Sequence, residues 1–382
     1  MYMYGCCQGV FSTPPVRLFM ATSAYYDADS EGIVYWVKPE SLFEDTYDPE
    51  VDSDSGESFN SSDTLMSCEI ADYFHEINGR VFINNPNAPI WHAVDEHRRL
   101  DLQHKLLKVV YGGNYFGPVA EVLQARPGHK PRVLDICTRN GVWVQEMAQQ
   151  FPHAHFLSLD IAPIVDHVPR ANVTFEVYDI STGILEGDET FDFVRIAHIT
   201  EIIKDVPGIL KEAQRLLKPG GLLFVVESET ALYESHDTDQ PSLDSTPLTW
   251  KAIDTLHRVL AEQGVEVNSC RLVAEWLSPE SHLWENYEPR LFVPFENIKS
   301  GTQIVHAGGW DADIRLQEVR LLLAQYGTVC WRNLAAAIAT LGLCEHDVRV
   351  LVEGAVRELK DPCTSYAVKF HHVFARKGPA PE

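Results

Sequence analysis

The chain has 382 residues, 45% of them hydrophobic, and a formal net charge of −24 at pH 7. It is long enough for one large domain or two with a sizeable core, and its negative charge argues against a nucleic-acid partner. No apolar stretch approaches the roughly 18 residues that a membrane span needs, and the N-terminus lacks the basic start of a secretory signal. Eight scattered cysteines without CxxC pairs predict a reduced, intracellular setting, with the cytoplasm as the default location.

The first 70 residues differ from the rest in composition. They carry thirteen acidic residues against two basic ones, a net charge of −11. The tract from Asp48 to Asp63 is acidic and serine-rich with one aromatic residue, so it buries too little apolar surface to offset its ordering entropy. We therefore predict a disordered segment over residues 1–70, either a solvated tail or a contact for a regulatory protein, and a folded domain over residues 71–382.

A hairpin and a helix are predicted at the start of this domain. Asn78-Gly79 lies between two aromatic, β-prone runs, which is typical of a hairpin turn. Asp95–Val110 begins with acidic residues, repeats apolar residues at helical spacing and is followed by two glycines after Tyr111. The pattern predicts a helix there.

The stretch from Pro131 to Asp160 predicts a strand, a loop, a helix and a second strand. Its length of about 30 residues is what one βαβ unit needs. The first apolar run contains Asp135, and the second ends on Asp160. Because nucleotide-binding folds hold a ribose diol with an acid at the end of the second strand, we predict that Asp160 accepts from ribose hydroxyls.

The loop of this unit argues against a dinucleotide. A dinucleotide site needs G-x-G-x-x-G, whereas the spacing here is Asp135-x-Cys137-x-Arg139-x-Gly141. This disfavours a nicotinamide-dependent oxidoreductase. The pattern resembles motif I of the class I S-adenosylmethionine (SAM) methyltransferases, D/E-x-G-x-G-x-G.

The resemblance implies that Asp135, Cys137 and Gly141 form the loop against which SAM lies. Cys137 and Arg139 stand where the family has glycine. The Arg139 guanidinium either pairs with the methionine carboxylate of SAM or fills its site.

Two further strands end on candidate site residues. Asn172–Ile180 alternates apolar and polar residues and ends at Asp179. The resemblance implies that Asp179 meets the adenine, with Ile180 beside it; otherwise Asp179 caps a turn. Thr190–Ala197 is the next strand and places Arg195 at the edge where α/β sheets bind ligands. His198 follows it and is either an acid/base residue or a structural one.

The sequence Leu217-Lys218-Pro219-Gly220-Gly221 precedes another apolar strand and is a second feature of the class I methyltransferases. Proline stops the preceding helix, which is predicted to begin at Asp205 as its N-cap with Pro207 in its first turn. Two glycines then turn the chain into the sheet. The remaining predicted elements are a sixth strand, three helices and a last strand: Val265–Leu277, Ile314–Tyr326, Trp331–Leu341, Glu345–Leu359 and Tyr366–Ala375. The two histidine pairs, His153-x-His155 and His371-His372, have no cysteine or carboxylate partner at ligand spacing, so no metal site is predicted.

A closer resemblance is to the fungal LaeA-like methyltransferases, which are linked to secondary metabolism and its regulation. It rests on N-G-R-x-F at Asn78–Phe82 and D-E-x-x-R-L-D-L-Q-H at Asp95–His104, and it extends from about Tyr73 to Lys377. It implies that the helix with Gln103 and His104 covers the cofactor; otherwise His104 is a packing residue. It also allows a nuclear location.

Together these features predict an α/β fold. We expect a Rossmann-like, mostly parallel sheet of seven strands with one antiparallel strand, an N-terminal helical cover and a C-terminal helical insertion, the last two forming an acceptor pocket. The predicted function is SAM-dependent methyl transfer to a small-molecule or protein acceptor. The alternative is a non-catalytic regulatory protein with the same fold and a degenerate cofactor loop.

Overall fold

The computed structural model describes residues 22–27, 32–37, 72–94, 97–164, 170–285, 293–307 and 314–379. Near the N-terminus, strands β1 (Thr22–Asp27) and β2 (Gly32–Val37) pair as an antiparallel hairpin. The acidic tract from Asp48 to Asp63 lies outside the described residues, so the division at residue 70 stays a prediction.

The predicted hairpin at Asn78-Gly79 is confirmed. Strand β3 (Phe74–Ile77) pairs antiparallel with β4 (Arg80–Ile83). Asn78 and Gly79 have φ angles of 50° and 74°. Two consecutive left-handed residues are what a type I′ turn requires, and such a turn matches the twist of the flanking strands.

A large sheet forms the centre of the fold. In chain order its strands are β5 (Arg132–Ile136), β6 (His155–Asp160), β7 (Val173–Val177), β8 (Phe191–Ala197), β9 (Leu217–Ser228), the two-residue β10 (Tyr233–Glu234), β11 (Phe295–Ala307) and β12 (Tyr366–Lys377). The seven long strands lie side by side in the order β11-β12-β9-β8-β5-β6-β7, and β10 pairs with the start of β12. Strands β5 to β9 are parallel, whereas β12 is antiparallel to both neighbours. The predicted mostly parallel sheet is therefore confirmed.

Helices flank the sheet and also lie beyond its edge. They are α1 (His97–Tyr111), α2 (Val119–Val122), α3 (Val142–Gln150), α4 (Val206–Leu216), α5 (Pro247–Glu262), α6 (Ser269–Leu277), α7 (Ile314–Ala339) and α8 (Glu345–Lys360). Helix α1 is the predicted N-terminal cover, and α7 and α8 are the insertion before β12. The start of α4 follows the predicted chemistry, because Asp205 accepts from the Gly208 amide at 2.9 Å and Pro207 lies in the first turn.

The predicted strand at Val265–Leu277 is wrong. Most of that stretch is helix α6, whose Cys270, Val273 and Leu277 are buried at helical spacing. The short alternation at its start suggested period two, but the later residues repeat every three to four positions. The sixth long strand of the sheet is instead β11, which lies at the sheet edge. Most of its side chains are partly or fully exposed, so its sequence shows little alternation of apolar and polar residues.

The predicted break between the first two helices of the insertion is also wrong. One helix, α7, runs through Gly327 without interruption. A Cβ at Gly327 would lie 2.6 Å from Cδ1 of Leu359 in α8. The glycine therefore permits close contact between two helices and does not end one.

The order of the strands fixes where a ligand site can form. Along the sheet, β6 and β7 lie on one side of β5, while β8 and β9 lie on the other. The connections after β5 and β8 therefore diverge, and they leave a crevice at the carboxyl ends of these two strands. Open α/β sheets bind their ligands at such a switch point.

Candidate functional site

The loop after β5 has a left-handed backbone at alternate residues. Cys137, Arg139 and Gly141 have φ angles of 62°, 56° and 66°. Only glycine adopts this region at no steric cost, and each other residue stores strain of order 1–3 kcal/mol. The loop thus keeps a backbone suited to three glycines, although only Gly141 is a glycine and the other two positions carry the side chains of Cys137 and Arg139.

Asp160 ends β6 beside this loop and is 2% exposed. Its carboxylate accepts from the backbone amides of Arg139 at 2.7 Å and Ile161 at 2.8 Å. Burial raises the pKa of Asp160 to about 6, although the amide and the charge of Arg139 act in the opposite direction. Asp160, the residue predicted to bind the ribose, therefore lies beside the switch point, and its bond to the Arg139 amide also holds the loop.

Asp135 and Arg195 are bonded to each other. Asp135 is fully buried on β5 and pairs with Nη1 of Arg195 on β8 at 2.6 Å. The hydroxyl of Ser158 lies 3.4 Å from the second oxygen of Asp135. The Arg195 guanidinium also lies 4.2 Å from the centre of the Trp143 ring. Both predicted cofactor contacts thus have structural partners beneath the crevice.

Asp179 caps a short 3-10 turn that starts at Ile180. Its carboxylate accepts from the amide of Ser181 at 3.0 Å, and Gly183 ends the turn with a φ of 125°. This is the capping arrangement that we considered as the alternative for Asp179. Ile180 is fully buried. Contact of Asp179 and Ile180 with an adenine stays a prediction.

The Arg139 side chain crosses the crevice between β5 and β8. Its Nη2 donates to the carbonyl oxygen of His198, the residue after β8, at 2.9 Å. Its Nη1 pairs with Glu201 at 2.8 Å, and the residue is 8% exposed. A buried guanidinium therefore links the loop after β5 to the connection after β8.

Glu201 is the centre of a buried charge cluster that the sequence analysis did not predict. The oxygen that pairs with Arg139 also accepts from Nη1 of Arg99 at 2.9 Å, and the other accepts from Gln103 at 3.0 Å. Burial acts to raise the pKa of Glu201, but Arg139 and Arg99 outweigh it and hold this pKa well below its usual range. Arg99 of α1 and Arg139 of the loop thus bind the same carboxylate, which joins the helix to the loop.

The candidate acid/base residue His198 is uncharged at neutral pH. Burial lowers its pKa to about 3, despite the nearby Glu201. Its Nδ1 lies 3.3 Å from the Ser228 hydroxyl. His104 lies 3.2 Å from Glu146 of α3, so it links two helices, and its role in covering the cofactor stays a prediction.

A cavity of about 130 Å³ lies beyond the end of β9, between α1, α5, α7 and β12. Glu201 and Ser228 contribute polar groups to its wall. The rest of the wall is mainly apolar and aromatic and includes Trp91, Leu106, Leu256, Leu323, Trp331 and Phe370. Its position between the cover helix and the insertion is where we predicted an acceptor pocket.

None of the helices described is long and apolar enough to cross a membrane. In the same part of the chain, no group of three or more His, Cys, Asp or Glu side chains is placed to hold a metal ion.

Comparison with known proteins agrees with this geometry. Residues 94–269 match the family model described as a methyltransferase domain. A secondary metabolism regulator laeA of Coprinopsis cinerea is 23% identical over 310 residues, which cover 79% of this chain and 73% of the relative. A methyltransferase pytC of Aspergillus terreus is 24% identical over 315 residues, covering 81% and 87%.

A solved structure with a partly similar fold is phosphoethanolamine N-methyltransferase 2 of Haemonchus contortus, in complex with S-adenosyl-L-methionine. The identity is 16%, the TM-score is 0.37, and the match covers 78% of this chain and 62% of that one.

The strand order and the switch-point loop are typical of the class I methyltransferase fold, and the family match lies over the same part of the chain. Among such proteins, this chain resembles the LaeA-like methyltransferases and regulators of fungal secondary metabolism. The methyl donor of this class is SAM.

The polar groups at the crevice are of the kinds that such a donor needs. SAM carries a ribose diol, an amino-purine and an amino-acid end. Asp160 supplies an acceptor at the strand end. Three buried atoms here also lack a hydrogen-bond partner within the described chain: Thr138 Oγ1, Arg139 Nε and His198 Nε2. Buried polar atoms are rarely left unpaired, so this donor and acceptor set fits a polar ligand.

Proposed function

We propose that this protein is a SAM-dependent methyltransferase that acts on a small, largely apolar acceptor. The observation that carries the proposal is the left-handed backbone at Cys137, Arg139 and Gly141, next to the buried carboxylate of Asp160. This combination is costly to maintain unless the backbone serves a ligand. SAM, when bound, supplies a methyl group already activated by its sulfonium.

The chain's own residues have positioning roles in this proposal. Asp160 accepts from the ribose hydroxyls, and its two amide bonds keep it aligned. Asp135, held by Arg195, supports the loop from below. Orientation alone can lower a barrier by roughly 7–11 kcal/mol. Burial lowers the pKa of His198 to about 3, which makes it a weak base at neutral pH, so we assign it no proton transfer.

The cavity favours a small acceptor over a protein side chain. It is lined mainly by aromatic and aliphatic groups, and its volume of about 130 Å³ fits one small ring system. Glu201 is already paired with Arg99 and Arg139, so its charge is compensated. The wall also contains Glu229 and Lys369. Because a mainly apolar wall does not offset the desolvation of a carboxylate, an uncharged acceptor suits the cavity better than an anionic one.

The donor is tested by calorimetric titration with S-adenosylhomocysteine (SAH), the demethylated product. We expect a dissociation constant in the micromolar range, about −8 kcal/mol. The absence of binding in a folded sample, and in the Arg139→Gly variant too, would contradict the proposal.

The acceptor is tested by thermal shift with 1-naphthol and with 1-naphthoate. We expect the neutral probe to raise the melting temperature and the anionic probe not to do so, because the mainly apolar wall does not offset the desolvation of a carboxylate. The variant Leu323→Phe, which adds bulk to the wall, should abolish the shift. Equal shifts with both probes would contradict the assignment of this cavity.

A second candidate function is a regulatory protein without catalytic activity. The buried contact of Arg139 with Glu201 favours it, because a guanidinium lies across the crevice that the donor would enter. This alternative predicts that the wild type does not bind SAH, whereas Arg139→Gly, which opens the crevice, does.

A further inference from the structure

We propose that Arg139 is a latch on the donor site, and that the donor binds only after the guanidinium leaves Glu201 and the crevice. This inference rests on the proposed function and adds the residue that sets donor affinity. It assigns to Arg139 a role opposite to that of a ligand for the methionine carboxylate.

The first argument is the path of the side chain. The backbone amide of Arg139 donates to Asp160, while its guanidinium contacts the carbonyl of His198 and the carboxylate of Glu201. The side chain therefore spans the crevice from the loop after β5, next to the end of β6, to the connection after β8. A ligand that lies along the carboxyl ends of the strands must cross this path.

The second argument concerns what happens to Glu201 when the latch opens. Loss of one partner from a buried ion pair normally leaves an uncompensated charge. Glu201, however, also accepts from Arg99 at 2.9 Å and from Gln103 at 3.0 Å. Both come from α1, so the carboxylate keeps a cation and a neutral donor after Arg139 has moved.

The third argument is that the latch is incompletely bonded. Arg139 Nε is buried without a hydrogen-bond partner within the described chain, and the residue has a φ of 56°. The unpaired nitrogen disfavours the closed state. The positive φ is unchanged by a movement of the side chain, so only the guanidinium contacts hold the latch closed.

The test is SAH calorimetry on the wild type, Arg139→Gly and a matched control, Cys137→Gly. Glycine at 139 keeps the amide that donates to Asp160, suits the positive φ and removes only the latch. Cys137 has a similar φ of 62° and is also buried, so its replacement relieves backbone strain without removing a guanidinium.

We expect Arg139→Gly to bind SAH about ten- to a hundredfold more tightly than the wild type, the range of one charge-assisted hydrogen bond. Cys137 belongs to the loop against which the donor lies, so Cys137→Gly measures the effect of loop strain, and it should gain less affinity for SAH than Arg139→Gly. An equal gain in both variants would mean that strain sets the affinity, and would overturn the latch. Equal, measurable binding by the wild type and Arg139→Gly would also overturn it, while leaving the proposed function intact.

Weaker binding by Arg139→Gly would identify Arg139 as a ligand, which also overturns the inference. Methylthioadenosine, which lacks the carboxylate, checks this: a ligand role predicts that the variant loses affinity for SAH but not for methylthioadenosine. If no variant binds SAH, the latch and the proposed function both fail. Circular dichroism and melting temperatures establish folding, and Arg139→Gln replaces the glycine variant, with the same expected order, if that variant does not fold.

Discussion

Donor affinity should increase with pH through the titration of Asp160. Burial raises the pKa of this carboxyl to about 6, and ribose hydroxyls donate to its charged form. Below pH 6 the donor must displace a proton, and above pH 6 it need not. Because the free site is the state that holds this proton, affinity is lost as the pH falls through 6.

The size of the effect follows from the fraction ionised. At pH 5, one unit below the pKa, about one tenth of the Asp160 side chains are charged, so SAH should bind about tenfold more weakly than at pH 8. Asp160→Asn keeps an acceptor oxygen but loses the charge. At pH 8 it should bind about ten- to a hundredfold more weakly than the wild type, and its affinity should not change between pH 5 and pH 8.

Calorimetry with SAH at half-unit steps of pH measures this profile. The Arg139→Gly variant provides a second check, because the charge of Arg139 lowers the pKa of Asp160 and its removal should move the midpoint to higher pH. An unchanged SAH affinity in Asp160→Asn would refute the ribose assignment. A pH dependence that persists in Asp160→Asn would show that another group titrates.

Three further predictions concern stability. Asp205→Ala should lower the free energy of unfolding by about 0.5–2 kcal/mol in urea titration, because the Gly208 amide loses its cap, whereas Asp205→Asn should change it little; equal losses would count against capping. Glu201→Gln should cost about 3–5 kcal/mol, because two buried guanidinium groups lose their counter-charge; a change below 1 kcal/mol would show that water reaches the cluster. Burial raises the pKa of Glu227 to about 8, above its unfolded value, so wild-type stability should fall between about pH 4.5 and pH 8 by up to 1.4 kcal/mol per pH unit. Glu227→Gln should remove this part of the slope in melting experiments, and parallel curves for the two proteins would contradict the assignment.

Local chemistry carried much of the fold prediction. Asn78-Gly79 requires a left-handed turn, and Asp205 with Pro207 starts a helix, whatever the rest of the chain does. The alternation of apolar strands with one helix between Arg132 and Asp160 is also local, and it leads to parallel strands by the length of the connection.

The errors arose where a distant contact decides the structure. Gly327 reads as a helix break until Leu359 of α8 is known to lie against it. Val265–Leu277 begins with a strand-like alternation, and only packing of its later residues at helical spacing selects a helix.

The charge cluster of the site could not be derived from spacing. Glu201 lies 102 positions after Arg99 and 98 after Gln103. Each is an ordinary charged or polar residue in its local context, and only the fold brings them together. The sequence did single out Arg139 as an exception in its loop, which was the available signal for this part of the site.

Glu201 belongs both to the latch and to the wall of the cavity. Any molecule in the cavity that attracts, protonates or displaces this carboxylate changes the hold on Arg139. The two ligands of the proposed reaction are then thermodynamically linked, and each alters the binding of the other by the same factor. An acceptor that forms a hydrogen bond with Glu201 in place of Arg139 would favour donor binding, so the donor would bind more tightly when this acceptor is present.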